Sequence, residues 1–218
     1  MKIKLYKLLS RLFLIYLRLV KATGELVIEN KHLIKENTMV GYWHGDSFCM
    51  QMILSEMAAS NDGINVIVTA DKRGDIIENM INSFGAKAIR LPDGIRMRQH
   101  FRELIAFSKE DSGILATSFD GPLGPLHEPK KLIFLLASEA GKQVSSIHFK
   151  YKGVIRIKRR WDKYVIALPF CKITAVVEDL GVISKEDLRS FEKLRQKLRY
   201  YELRNSRKVG GSYYMNSI

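Results

Sequence analysis

The stretch Gly113-Ile114-Leu115-Ala116-Thr117-Ser118-Phe119-Asp120-Gly121-Pro122-Leu123-Gly124-Pro125 decides how the fold is read. It opens as a short apolar run, is broken by two glycines and two prolines, and leads to a helix-like segment that opens Lys130-Lys131-Leu132-Ile133. Proline fixes φ and glycine admits conformations that other residues avoid, so the turn is tight and irregular. An open α/β sheet places its ligands at such a turn, beyond the carboxyl end of a strand. Asp-Gly-Pro is also an ordinary turn former. Asp120 therefore reads as turn or as site, and its neighbours have to choose between them.

Working outward, strand-like runs are predicted at 25–29, 38–43, 64–70, 86–91, 113–117, 144–150, 154–158, 164–168 and 172–177. Helix candidates lie near 46–60, 74–84, 96–109 and 130–140. This alternation predicts right-handed βαβ units and a largely parallel sheet. Past residue 143 the strands follow one another directly, so the sheet is expected to become antiparallel there. A final helix is predicted near 184–203, with Leu188, Phe191, Leu194, Leu198 and Tyr201 on one stripe, followed by a loose tail at 204–218. The expectation is an α/β fold: one domain over 23–203, helices on both faces of the sheet.

A chain of 218 residues can bury one sizeable core, and 46% hydrophobic residues exclude disorder. Lys and Arg number 36 against 23 acids, a net +13 that points to an anionic partner. Nucleic acid, an anionic membrane surface and an acidic carrier protein all fit. Cys49 and Cys171 form neither a metal-ligand spacing nor a disulfide framework, as expected of a reducing cytoplasm. No metal or bound cofactor is expected. The N-terminus lacks the small-residue cleavage site of a secretory signal.

Residues 1–22 contain no apolar run near the ~20 residues of a spanning helix. At ~100° per residue, Lys4, Lys7, Arg11 and Arg18 fall in one narrow stripe. Leu5, Leu8, Leu9, Leu12, Phe13, Tyr16, Leu17, Leu19 and Val20 fill most of the remaining circumference. This predicts a helix lying in a membrane interface, peripheral to the cytoplasmic face of the cell membrane. The alternative is a helix packed on the domain's own core.

Polar groups follow several predicted strands in turn: His44, then Asp71-Lys72-Arg73-Gly74-Asp75, then Arg90, then Asp120. Parallel strands bring such groups to one rim. There an imidazole can take a proton from an alcohol near neutral pH, and guanidinium groups can hold a phosphate. Each has a plainer alternative: His44 as a satisfied core histidine, Arg90 as the partner of a nearby acid.

Tyr42-Trp43-His44-Gly45, Lys72-Arg73-Gly74-Asp75, Phe84-Gly85-Ala86, Asp120-Gly121-Pro122-Leu123-Gly124-Pro125, and Trp161-Asp162-Lys163-Tyr164 with Leu168-Pro169-Phe170 stand in a telling order. That order resembles the bacterial lysophospholipid acyltransferase-like proteins, within the glycerolipid acyltransferase superfamily. The resemblance spans roughly residues 20–180. It implies transfer of a fatty acyl group from acyl-CoA or acyl carrier protein to a hydroxyl of a lipid-like anionic acceptor. It also implies His44 as general base. In that superfamily an acid follows the histidine after four intervening residues, but that position here is Cys49. Asp46 lies about 200° around a helix from His44, so Asp120 is the expected substitute. Arg73, Arg90, Lys130 and Lys131 are expected to hold the anionic group, with donors near Gly121 and Gly124 for the oxyanion. Where relatives often carry Arg-Gly-Ser-Ser, this chain has Arg90-Leu91-Pro92-Asp93, and only the arginine survives.

Three functions compete on these residues: a membrane-associated acyltransferase, a catalytically degenerate lipid- or carrier-binding module of the same fold, and a nucleic-acid binder. The missing acid after His44 favours the second. The cluster Arg156, Lys158, Arg159 and Arg160 motivates the third, but no helix-turn-helix, zinc or RNA-binding signature accompanies it.

Overall fold

The computed structural model describes residues 2–58, 63–70, 72–92, 97–110 and 113–207. Seven strands form one sheet: β1 (Glu25–Glu29), β2 (Thr38–Tyr42), β3 (Ile64–Thr69), β4 (Ala86–Leu91), β5 (Ile114–Ser118), β6 (Gln143–Arg156) and β7 (Val165–Val182). Their order is β1-β7-β6-β2-β5-β3-β4. Every pairing is parallel except β6 with β7, so the antiparallel part falls where strands run on without helices. The helices are α1 (Lys2–Thr23), α2 (Ser47–Ala58), α3 (Lys72–Asn82), α4 (Met97–Glu110), α5 (Leu132–Ala140), α6 (Lys185–Arg189) and α7 (Phe191–Arg207).

Central strands are buried on both faces, which is why β2 reads Thr-Met-Val-Gly-Tyr with no exposed position. Neighbouring side chains point to opposite sides. Val40 joins Leu17, Phe48, Ile53 and Ile81 in a core beneath α1, α2 and α3. Met39 joins Leu104, Phe134, Leu136 and Leu198 in a second core beneath α4, α5 and α7. This is an α/β domain with a seven-stranded mixed sheet and helices on both faces.

Two boundaries differ from expectation. The four C-terminal strand runs are two long strands. Gly153, at φ 73°, marks a bulge between Lys152 and Val154, and Phe170 sits at φ 62° in β7. The residues before Lys172 in β7 have no β1 partner, so Pro169 interrupts no ladder on that side. The last helix is split at Ser190 and runs on to Arg207, through the first part of the expected tail. Arg204 pairs there with Glu178, and Asn205 is buried. Residues 208–218, the rest of that tail, lie outside the described residues.

Helix α1 packs on the domain. Leu17 and Val20 are fully buried, Phe13 and Tyr16 meet the Phe48 ring edge-on, and the Tyr16 hydroxyl donates to the Ala167 carbonyl at 2.8 Å. The apolar arc is wider than this contact. Leu12, Ile15 and Leu19 remain exposed beside Arg11 and Arg18. No described helix is long and apolar enough to cross a membrane. Leu17→Ala is expected to cost about 2–5 kcal/mol, because it opens a cavity under α1. Urea denaturation measures this, and an unchanged midpoint would mean that α1 does not pack here.

Candidate active site

β2, β5, β3 and β4 run side by side in parallel, so their carboxyl ends form one rim, with β6 beside β2. His44 and Asp120 follow the ends of adjacent strands. β2 passes through Trp43 into a 3-10 turn, His44–Asp46, which opens α2. The ladder between β2 and β5 extends one step further, as the Phe119 N–H donates to the Tyr42 carbonyl at 2.8 Å. Asp120 then turns back, and its Oδ1 accepts the main-chain N–H of His44 at 2.9 Å.

The imidazole has a different partner. His44 Nδ1 lies 2.9 Å from Oδ2 of Asp162, in the connection between β6 and β7. This corrects the expectation that Asp120 orients the ring: Asp120 holds the main chain of the turn, and Asp162 holds the side chain. Ile147 of β6 stands level with Tyr42, so β6 overshoots the rim by nine residues, or about 30 Å if straight. The Gly153 bulge bends the hairpin and lets its tip return to His44. Two glycines allow the close fit. A Cβ on Gly45 would lie 2.2 Å from the Asp162 carbonyl oxygen, and one on Gly124 would lie 2.4 Å from the Trp161 ring. That ring in turn covers His44, with centroids 5.3 Å apart.

The Asp162 side chain is fully buried and accepts four hydrogen bonds. Arg160 donates Nε–H to Oδ1 at 2.9 Å and Nη2–H to Oδ2 at 2.7 Å, and the Tyr164 N–H and the imidazole complete the set. Burial alone would push this carboxyl up. The Arg160 guanidinium and the His44 ring outweigh that and hold it at about 2. An ionised carboxylate only accepts, so Nδ1 of His44 carries the proton. In the neutral ring, Nε2 is then left with a lone pair. Nε2 has no partner among the described residues, and the side chain is 25% exposed.

Other nearby groups are differently placed. Asp120 is buried and its Oδ2 has no hydrogen-bond partner among the described residues. Burial raises its carboxyl, opposed by the His44 N–H. Asp46 turns away from the imidazole and accepts the Tyr151 hydroxyl. Burial, then the nearby Glu202, pushes it up to about 7. Cys49 is buried and its thiol is raised far above the ordinary range, first by burial and then by Asp46, so it is no nucleophile.

The expected anion holders divide. Arg90 is committed to Glu78, at 2.7 and 3.1 Å, and to the Thr69 carbonyl at 3.0 Å. Of the two readings of Arg90, the pairing with a neighbouring acid is the one present in the structure. Lys131 points to the α6–α7 corner, donating to the Leu188 carbonyl at 3.4 Å with its ammonium over the Phe191 ring. It too leaves the site. Lys130 is exposed, and its Cγ lies 3.9 Å from the position a Cβ would take on Gly121. The Arg73 side chain lies outside the described residues. No group of three His, Cys, Asp or Glu side chains among the described residues is arranged to hold a metal ion.

Compared with known proteins, the chain matches no family model and no curated protein.

Two stability measurements probe the buried carboxyls. Asp162 is depressed on folding, from ~3.9 to about 2, so its contribution is full above the unfolded value and disappears as pH falls through 2. Asp162→Asn should therefore cost on the order of 2 kcal/mol at pH 7, with Arg160 half exposed and partly screened. The loss should shrink between pH 4 and pH 2. Asp46 has the opposite sign: raised to about 7, it burdens the folded state increasingly between the unfolded ~3.9 and 7. Asp46→Asn should be more stable than the native protein at pH 8, with the advantage fading as pH falls towards 4. A flat difference across that range would refute the assignment.

Proposed function

We propose that this protein is an acyltransferase that moves an acyl group from a thioester to a hydroxyl, with His44 as general base and Asp162 as its orienting acid. The single observation behind this reading is the 2.9 Å contact between His44 Nδ1 and a buried, ionised Asp162. A base needs a fixed tautomer, an available lone pair and a counter-charge for the imidazolium that forms. The pair supplies the first and third, and Nε2, without a partner among the described residues, supplies the second.

In the proposed reaction, Nε2 takes the proton from the acceptor hydroxyl as its oxygen attacks the thioester carbonyl. A C–O bond forms and the carbonyl becomes an oxyanion, for which main-chain N–H groups between Gly121 and Gly124 are the proposed donors. The intermediate collapses, the C–S bond breaks, and the leaving thiolate takes the proton back from the imidazolium. Asp162 stays ionised throughout. Asp120 positions rather than reacts, since it grips the His44 main chain. The resemblance to glycerolipid acyltransferases supports the choice of thioester and lipid-like acceptor. The exposed apolar and basic arc of α1 supports a peripheral place on an anionic membrane. The binding-module reading drew its support from a missing acid, and Asp162 removes that ground.

Transfer of acyl groups from acyl-CoA or acyl carrier protein to lysolipids should be abolished in His44→Ala. Asp162→Asn should lower kcat by about 10²- to 10⁴-fold with little change in KM. Steady-state kinetics on the purified full chain read both. Full turnover in His44→Ala would end the mechanism.

A further inference from the structure

With Arg90 paired to Glu78 and Lys131 drawn to the α6–α7 corner, two of the four expected anion holders have other partners. The connection that delivers Asp162 carries a replacement. Arg156, Lys158, Arg159, Arg160 and Lys163 put five cations within eight residues, against the single acid Asp162. Three of the five are already engaged. Arg160 is spent on Asp162, Arg156 lies half-buried over the Tyr151 ring, and Lys163 donates to the Lys158 carbonyl at 2.6 Å. Lys158 and Arg159 are exposed, and their side chains make no ion pair or hydrogen bond among the described residues.

The tip is built rather than loose. The Ile157 N–H donates to Tyr164 at 2.8 Å, and two successive turns close inside it, Arg160 to Ile157 and Lys163 to Arg160. Chain length bounds the reach. Arg159 and Lys158 precede Asp162 by three and four residues, so their Cα atoms lie within about 11 and 15 Å of its own. Asp162 is itself in contact with His44, so both basic residues belong to the stretch of chain next to that histidine. With no ion pair or hydrogen bond among the described residues, their side chains offer a natural seat for a multiply charged anion.

We infer that Lys158 and Arg159 form a phosphate-binding tip that holds the phosphate of a substrate while its reacting group lies at His44. The inference rests on the proposed role of His44 for where that reacting group sits. The phosphate could belong to the thioester carrier or to the acceptor lipid, and the recognition chemistry is the same.

Calorimetry on the full chain separates the sources with two ligand pairs: coenzyme A against pantetheine, and a short-chain 1-acylglycerol 3-phosphate against the matching 1-acylglycerol. The native protein should prefer the phosphate-bearing member of one pair by about tenfold or more. Lys158→Gln with Arg159→Gln should abolish that preference, whereas Lys185→Gln with Lys193→Gln, which removes as much charge elsewhere, should keep it. Preference in the first pair assigns the tip to the donor, and in the second to the acceptor. Turnover in His44→Ala is read separately and tests the base rather than the tip. If no acyl transfer is found while the tip variant still loses phosphate binding, the acyltransferase reading falls and the tip stands. No preference in either pair, or a preference that survives the tip substitutions, overturns the inference. So does binding of a single-stranded oligonucleotide that the tip variant loses while neither pair shows a preference.

Discussion

A buried carboxylate in the middle of a surface turn cannot stand alone, and the site is organised around neutralising the one on Asp162. Taking an unpaired charge out of water costs several kcal/mol, so its partners have to be supplied by the fold. Arg160 is local, two residues away on the same turn. His44 comes from 118 residues earlier, at the end of a central strand. The turn can therefore satisfy its carboxylate only by folding back over the sheet, and that motion carries Trp161 onto Gly124 and Asp162 onto Gly45. Three segments distant in sequence converge because one charge requires it.

The His44 turn is held from both sides of the sheet. Next to it, the Trp43 indole N–H donates to Glu202 of α7 at 3.0 Å, and the same oxygen meets His148 of β6 at 3.0 Å. Those side chains lie on the face of α4, α5 and α7, whereas Asp46 and Tyr151 meet beside the core under α1 and α2. Residues 43, 44 and 46 of one short turn are thus tied to four separate partners, Glu202, Asp120, Asp162 and Tyr151. A general base has to be fixed to within a fraction of an ångström to be useful, and this spread of anchors restricts the turn in every direction.

The strands were legible because their burial is local information. Short runs bounded by Gly24 and Asn30 and by Gly85 and Pro92 predict β1 and β4 to the residue, and the order of strands and helices predicts a parallel rim. The two long strands were not legible. Gly153 and Pro169-Phe170 carry the composition of loops, and only the missing β1 partner beside Pro169 explains why the strand passes through. Asp162 was hidden for a related reason. The residue stands within a basic, turn-like run and so reads as one charge among many. Its signal was present in the Trp-Asp-x-Tyr motif, but the spacing to His44 says nothing about contact when a bulge bends the connecting hairpin. Arg90 erred the other way: its place at a strand end was right, and Glu78, one strand and a helix turn away, had already claimed it.

The two aspartates divide a task that one acid five residues beyond a histidine would share between ring and helix. Asp120 grips the main-chain N–H of His44 and fixes where the turn sits, while Asp162 grips the ring and fixes which nitrogen bears the proton. The separation has an electrostatic consequence. Asp120, with one oxygen bonded to a neutral N–H and the other without a partner among the described residues, is raised by burial, whereas Asp162, clamped by a guanidinium, is held at about 2. Two carboxyls near one imidazole are thereby pushed in opposite directions. The one in contact with the ring stays ionised across the whole range in which a histidine works. The other bonds the main chain of His44 and not its ring, so it does not set the ring's tautomer. A site arranged this way keeps its base oriented whatever the state of the second acid, so the Asp-Gly-Pro turn governs position and the Trp-Asp turn governs charge.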